Sequence, residues 1–462
     1  MHRRFSFYVY VFGAYIVTPR IPNLVSSQTS EVLLTHTRLL AMRIYSAGSN
    51  AHGQLAHSGG DDSYIFQAAI FYDDQRKSMQ SNLSTSVRAI ATGANHTLVL
   101  LESLDGETEL WGCGDGSKGQ LGEGVGPTDL TSFHRLNLLH GNDNHHITHV
   151  AACWETSFIV TTSRNQGDTV WSLGSNAYGL RGIGKQPNED ISPSTISVVD
   201  LSKFMQAPTS VFHVTSILGG PNHVVVKLLK DEEDGACSEQ VLGWGASRHG
   251  QLGPTKLPFL PSPIKLSVEN VDTFAIGMQH TVFRQKNSCI IGLGSDKKRQ
   301  LRGLTDIKNV VNVGATWSAT FVVIKESNTE QWAIAYSGTS VVSNSDDGTA
   351  NDKRGTGEVP SLRSIQMPME TSVHSISGLL CGSEHVLLCL QEKDSYCGLK
   401  GVEVWGWGWN EHGNLGLGHT IDTITPTKLW PTQQIADRNG VVQRIHAGYG
   451  TSWVVVQHTE NR

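Results

Sequence analysis

The residues best equipped for chemistry in this chain recur along its length instead of converging on one place. His96, His223, His280 and His385 each close a Gly-x-x-His pattern, and equivalent positions hold Thr156 and Thr451. A general base needs a fixed set of partners and a pKa near its operating pH. A position shared by histidine and threonine suits instead a side chain that hydrogen-bonds neighbouring backbone. His145, His146 and His149 have the residue type for a metal, but the stretch around them offers little carboxylate or thiolate support, so solvated or turn-stabilising roles are expected. The sequence contains no Gly-x4-Gly-Lys-Ser/Thr loop, no His-Glu-x-x-His and no Gly-x-Ser-x-Gly elbow. Gly112-Cys-Gly114 and Gly406-Trp-Gly408 recur with the repeats and lack a following helix, which argues against a dinucleotide site. The expectation is a binding protein without catalytic residues, cofactor or metal.

Tryptophan carries the stronger signal. Trp154, Trp317 and Trp453 follow glycine or small-residue turns, and Trp405, Trp407 and Trp409 occupy every second position, which on a strand places all three on one face. Two readings are open. These rings are flat fillers between packed sheets, or Trp154, Glu155, Trp317, Trp409, Glu411 and His412 form part of a partner-binding rim, since aromatics beside charge dominate interface energetics.

The elements that must position these residues come from a repeat. One motif reads ELWGCGDGSKGQLG from Glu109, TVWSLGSNAYGLRG from Thr169, QVLGWGASRHGQLG from Gln240 and EVWGWGWNEHGNLGLG from Glu403, with further copies at Arg43, Cys289 and Trp332. A second motif, strand–glycine turn–strand, also appears seven times, with turns assigned to Gly93, Cys153, Gly220, Gly277, Gly314, Gly382 and Gly448. Only the fifth copy follows its predecessor closely. A unit of this length cannot bury its own apolar face, so copies must stack. Each pair of motifs predicts a four-stranded blade, and radial stacking gives an all-β, seven-bladed β-propeller. The chain opens on a first-motif strand (Ile44 to Ala47) and finishes on a second-motif pair (Ile445 to Val456), so the two ends should complete one blade together. Gly112, Gly114, Gly406 and Gly408 should need positive φ or close backbone approach.

Composition agrees and narrows the function classes. Among 462 residues there are 48 glycines, and the net charge is −6. No basic stripe is available to neutralise a phosphate backbone, so direct nucleic-acid binding is disfavoured. Seven cysteines without Cys-x-x-Cys read as small buried hydrophobes in a reducing compartment. Residues 1–41 carry no repeat and are expected to be a disordered leader or an over-long start preceding a propeller over 42–462. The apolar stretch Phe7 to Val17 is shorter than the about 20 residues a bilayer span needs. Polar insertions at 124–146, 184–207, 341–359 and 391–401 are expected to be surface loops.

Trp-Gly-x-Gly-x4-Gly-Gln-Leu-Gly paired with Gly-x-x-His-Thr resembles the regulator of chromosome condensation repeat family, whose fold is a seven-bladed propeller. A finer resemblance, to a fungal Elongator-associated branch, rests on Gly112-Cys-Gly-Asp115, Cys153-Trp-Glu-Thr156, Gly382-Ser-Glu-His385, Thr451-Ser-Trp-Val454 and the run from Trp405 to Asn414. That branch implies a small CSL-type zinc-finger redox protein as partner, a role in Elongator-dependent tRNA wobble uridine modification and diphthamide synthesis, and a cytoplasmic and nuclear location. The family also implies an alternative: guanine nucleotide exchange on a small GTPase, with a tubulin-related role. The Gly-Trp-Arg-His-Thr pentad on which a plant photoreceptor relies does not occur.

Overall fold

The computed structural model describes residues 40–459, apart from 74–76, 124, 126–128, 140–145, 164–166, 188, 190–191, 205–210, 232–236, 327–328, 330, 341–361, 393–401 and 433–439. Short strands separated by glycine turns dominate it, as β-branched bursts and turn residues require. Seven sheets, antiparallel except where Phe71–Asp73 pairs parallel to Leu130–Arg135, stand around an axis, and their first strands line a central cavity. From inside to outside, the first blade runs Ser86–Thr92, His96–Glu102, Thr108–Gly114 and Leu130–Arg135. Two more short strands, Phe71–Asp73 and Ser78–Gln80, extend it to six.

The second, third, fifth and sixth blades each have four strands. The fourth departs from expectation. It has three strands among the described residues, Val271–Ile276, His280–Gln285 and Ile290–Gly294, because too few residues separate Gly294 from the next inner strand, Val310–Ala315, to hold both a loop and an outer strand. The seventh blade is shared by the chain ends. Leu40–Gly48 pairs along its length with Thr451–Thr459, with Ser46 opposite Trp453. The pairing therefore starts two residues before the expected start of the repeats, while most of the leader lies outside the described residues.

The core is distributed between the blades, one apolar cluster per interface. Leu242 and Trp244 of the third blade meet Phe158 and Val160 of the second; Trp407 of the sixth meets Phe321 and Tyr336 of the fifth; Trp453 of the seventh meets Trp111 and Phe133 of the first. Trp244, Trp407 and Trp453 are fully buried. Burying one such ring contributes about 3 kcal/mol or more. The filler reading of tryptophan thus holds at these positions. Trp405 is partly buried in the same cluster as Trp407, whereas Trp409 lies past the strand end, because Gly408 at φ +108° turns the chain out of the sheet. Gly406 meets the other half of its expectation: its φ is not positive, but an added β-carbon would stand 2.6 Å from Leu429 Cδ1.

The recurrent histidines tie one blade to the next. His96 Nε2 lies 2.9 Å from Ser157 Oγ, His223 Nε2 2.9 Å from Thr281 Oγ1, His280 Nε2 3.2 Å from Thr320 Oγ1 and His385 Nε2 3.1 Å from Ser452 Oγ. The partner is a hydroxyl on the following blade, not neighbouring backbone as expected from sequence; only the three-dimensional stacking brings it within reach. Ser157 Oγ donates to Gln120 O, and Thr281 Oγ1 donates to Gln251 O. With its proton so committed, each hydroxyl must accept from the histidine, which fixes His96 and His223 as neutral rings protonated at Nε2. Burial depresses all four, to about 4 for His96, His280 and His385 and about 3 for His223. The ring folds back beneath its own turn, so a β-carbon on Gly93 would sit 2.1 Å from His96 Cε1. The same contact at Gly277 and Gly382 explains why glycine and histidine recur together there, whereas at Gly220 a β-carbon would meet Ile276 Cγ2 at 2.3 Å.

Candidate functional site

The turns between first and second strands crown one end of the axis. Corresponding N–H to O=C bonds close them at Gly93 to His96, Cys153 to Thr156, Gly220 to His223, Gly277 to His280, Thr316 to Ala319, Gly382 to His385 and Gly448 to Thr451. The fifth turn is therefore anchored at Thr316, not at Gly314 as the sequence suggested. Gly314 lies inside a strand, where an added β-carbon would approach Cys381 Sγ to 2.6 Å.

With that register, one position after the anchor carries Ala94, Trp154, Pro221, Met278, Trp317, Ser383 and Tyr449. Trp154, Trp317 and Tyr449 meet over the axis, with ring centroids 6.0 Å (Trp154–Trp317), 5.6 Å (Trp154–Tyr449) and 6.2 Å (Trp317–Tyr449) apart. Trp154 is 39% exposed and Met278 36%. The indole N–H of Trp317 has no hydrogen-bond partner among the described residues. The sequence pattern points to Trp453 as the third member of this set. Its place is held by Tyr449, while Trp453 is in the core with its indole N–H on Thr451 Oγ1. Counting from the anchor residue identifies Tyr449 and Met278 in the sequence; looking for tryptophan alone misses both.

Trp409, Glu411 and His412 sit beside this trio. Trp409 packs edge-on against His412, with centroids 5.2 Å apart, and donates its indole N–H to Glu411 Oε2 at 3.2 Å. His412 Nδ1 is 2.7 Å from Asp62 Oδ2, which fixes the ring on a loop of the seventh blade. A β-carbon on Gly450 would lie 3.5 Å from Trp409 Cζ3 and 3.7 Å from His412 Cδ2, so the two groups are contiguous through Tyr449 and Gly450. Glu155 follows Trp154 on the same turn and is half-buried, its carbonyl accepting from Ser175 N. Glu384, at the same offset in the sixth blade, bonds Ser318 Oγ at 2.5 Å, and burial raises its carboxyl above the usual range. Its carbonyl accepts from Trp409 N. All six expected rim residues therefore belong to one end of the propeller.

Beneath the aromatic trio is a cavity of about 190 Å3 lined by all seven blades. Its ionisable residues are His446, Cys381 and Tyr449, from the sixth and seventh blades. Burial lowers His446 to about 4 and raises Cys381 well above an ordinary thiol. His446 Nε2 is 3.0 Å from Thr92 Oγ1 of the first blade. This is a hydroxyl–imidazole contact, but burial leaves the imidazole a far weaker base than one matched to neutral pH. Among the described residues no group of three or more His, Cys, Asp or Glu side chains is arranged to hold a metal, and no helix is long and apolar enough to cross a membrane. His149 contacts Thr148 Oγ1 at 3.0 Å, and burial lowers it to about 4; His145 lies outside the described residues. Of the cysteines, Cys113, Cys153 and Cys389 are buried as expected, but Cys237 is exposed at the start of a third strand.

The geometry defines a class, a seven-bladed β-propeller with an aromatic patch at one axial end. Residues 87–120 and 403–455 match family models described as the regulator of chromosome condensation (RCC1) repeat. It is 25% identical over 432 residues to an RCC1 repeat-containing protein of Schizosaccharomyces pombe, covering 90% of this chain and 99% of the relative. It is 22% identical over 475 residues to a secretion-regulating guanine nucleotide exchange factor of Mus musculus, covering 92% and 86%. In structure it is similar to Prp20p from Saccharomyces cerevisiae, with a TM-score of 0.65 at 15% identity over 91% of this chain and 92% of that one, a likeness of fold.

Proposed function

We propose that the protein is a non-enzymatic interaction scaffold whose aromatic axial end captures a protein partner. The observation that carries this reading is the cluster of Trp154, Trp317 and Tyr449 with Trp409 and His412 beside it, edged by Glu155, Glu384 and Glu411, and with Met278 exposed at the corresponding turn of the fourth blade. Monomeric propellers have no folding reason to expose tryptophan where smaller residues occupy equivalent turns, as Ala94 and Ser383 do. The partner fitting the finer sequence resemblance, to the fungal alpha-tubulin suppressor protein, is a small CSL-type zinc-finger redox protein. Binding it would support Elongator-dependent wobble uridine modification and diphthamide synthesis, in cytoplasm and nucleus. A specific interface buries about 1,200–2,000 Å2 in total, which one propeller end can supply.

The second reading is exchange of guanine nucleotide on a small GTPase, supported by the end-to-end similarity to the mouse exchange factor. Of the segments that are candidates for it by length, that at 341–359 lies outside the described residues, while those at 124–146 and 184–207 are described in part and include the outer strands Leu130–Arg135 and Ser197–Val198. Purification from the native cell with mass spectrometry, alongside labelled-nucleotide release from purified GTPases, separates the two. The scaffold reading expects stable co-purification of the zinc-finger protein and no accelerated release. Alanine at Trp154, Trp317 and Trp409 together should weaken capture at least tenfold with an unchanged melting curve. Unchanged capture removes the axial end as the site, and release accelerated many-fold reverses the ranking.

A further inference from the structure

The three-stranded fourth blade leaves a sheet edge that the other blades cover. The backbone bonds show which groups it presents. The carbonyls of Ile44, Leu110, Val170 and Val241 accept from the N–H of Ala69, Leu136, Val199 and Leu266, on or just beyond the outer strands of the seventh, first, second and third blades. Each accepting carbonyl's residue lies four positions before the glycine at or next to the end of its third strand (Gly48, Gly114, Gly174 and Gly245). In the fourth blade that position is Ile290, ahead of Gly294. Ile290 and Gly292 therefore direct their outer N–H and C=O groups away from the sheet, and no strand pairs with Ile290–Gly294 on that side among the described residues. Exposure follows. Ile291, Gly292 and Leu293 are half-buried, whereas Trp111, Gly112 and Cys113, their counterparts in the first blade, are buried. Proteins usually protect such edges, because an unpaired row of donors and acceptors templates another strand.

The segment that leaves this edge is basic. Residues 296–308 hold Lys297, Lys298, Arg299, Arg302 and Lys308 against Asp296 and Asp306, in a chain whose net charge is −6. All five cations are exposed. Among the described residues the one ion pair within the segment is Arg302 to Asp296 at 4.0 Å, and Lys298 also acts on Glu384. Leu301 holds the segment beside the edge: a β-carbon on Gly292 would stand 2.7 Å from Leu301 Cδ2. At the other end Lys286 is already paired with Glu239, so the uncompensated charge is concentrated near Gly294.

We propose that the outer edge of Ile290–Gly294 accepts an extended acidic peptide as the missing fourth strand. Backbone pairing to Ile290 and Gly292 holds the peptide, apolar side chains lie beside Ile291 and Leu293, and carboxylates meet Lys297, Lys298 and Arg302. Ile290 and Gly292 are on the outer rim, whereas Lys297 and Lys298 follow Gly294 at the offsets that Glu411 and His412 hold after Gly408 and lie towards the aromatic end; the proposal uses none of Trp154, Trp317 and Trp409, so alanine at those three should leave peptide binding unchanged.

The probe is a fluorescein-labelled hexapeptide of alternating valine and glutamate, added to the full chain and followed by anisotropy and amide hydrogen exchange. Saturable binding is expected, with exchange at Gly292 slowed about tenfold or more at saturation. Lys297→Glu, Lys298→Glu and Arg302→Glu together should weaken binding about tenfold or more. The same peptide N-methylated on the amides of one edge keeps its charge and side chains and should lose binding to the unaltered protein. Absence of saturable binding, unslowed exchange at Gly292, or equal affinity of the N-methylated peptide overturns the proposal; the last result shows simple charge attraction. Concentration-dependent dimerisation that protects Gly292 without peptide would make a second copy the occupant and overturn it as well.

Discussion

Acidification should unfold this protein through its inter-blade histidines. His96, His223, His280 and His385 are neutral and fully buried, with folded pKa values of about 3 to 4 against an ordinary 6.5. The folded state therefore binds fewer protons than the unfolded chain below pH 6.5, so stability is complete above that value and is lost as pH falls towards 4. One pH unit below an unfolded pKa of 6.5 removes about 1.4 kcal/mol per histidine. Four together remove about 5–6 kcal/mol by pH 5.5, a large part of the roughly 5–15 kcal/mol that stabilises a typical domain. Protonation has no compensating bond, because Nδ1 of each ring lacks a partner among the described residues. The perturbation is His223→Gln, whose amide can still donate to Thr281 Oγ1. Urea midpoints of parent and variant at pH 7.5 and 5.5 give the comparison. The parent should lose about 1.4 kcal/mol more than the variant over that interval. An equal loss in both proteins, or a parent as stable at pH 5.5 as at 7.5, would refute the assignment.

Three further perturbations probe the architecture. Deleting Met42 to Gly48 removes the strand paired with Thr451–Thr459 and should abolish soluble expression; an unchanged melting curve would count against ring closure. Gly106→Ala and Gly408→Ala both impose positive φ on alanine at about 1–2 kcal/mol, but a β-carbon at Gly408 also lies 2.5 Å from Glu384 O, whereas Gly106 has open space, so the second variant should melt measurably lower than the first. Arg181 occupies the position of Leu55 and Leu415, as its N–H bond to Asn176 Oδ1 shows, and is buried with its guanidinium on Ser192 O, Thr195 O and Ser197 Oγ. Arg181→Leu should leave the unfolding midpoint within about 1 kcal/mol of the parent while speeding protease cleavage around Ser192 to Ser197, and unaltered cleavage would show that the arginine does not hold that loop.

The repeat spacing, the alternation of apolar residues and the phase of the two chain ends determine the architecture from sequence alone. These are local patterns, and a repeated unit has one economical way to bury its faces. Glycine and histidine at fixed offsets also mark the turns. Tertiary structure decides everything that depends on which blade lies beside which. Trp453 and Trp154 look alike in sequence, yet one is core and the other is surface, because a strand position faces the neighbouring blade whereas a turn position faces the axis. Tyr449 joins Trp154 and Trp317 only because the second, fifth and seventh blades converge on that axis. The histidine partners are hydroxyls of the following repeat, some forty to seventy residues away in sequence, and the shortened interval after Gly294 becomes an open edge only when the neighbouring blades are seen to be complete.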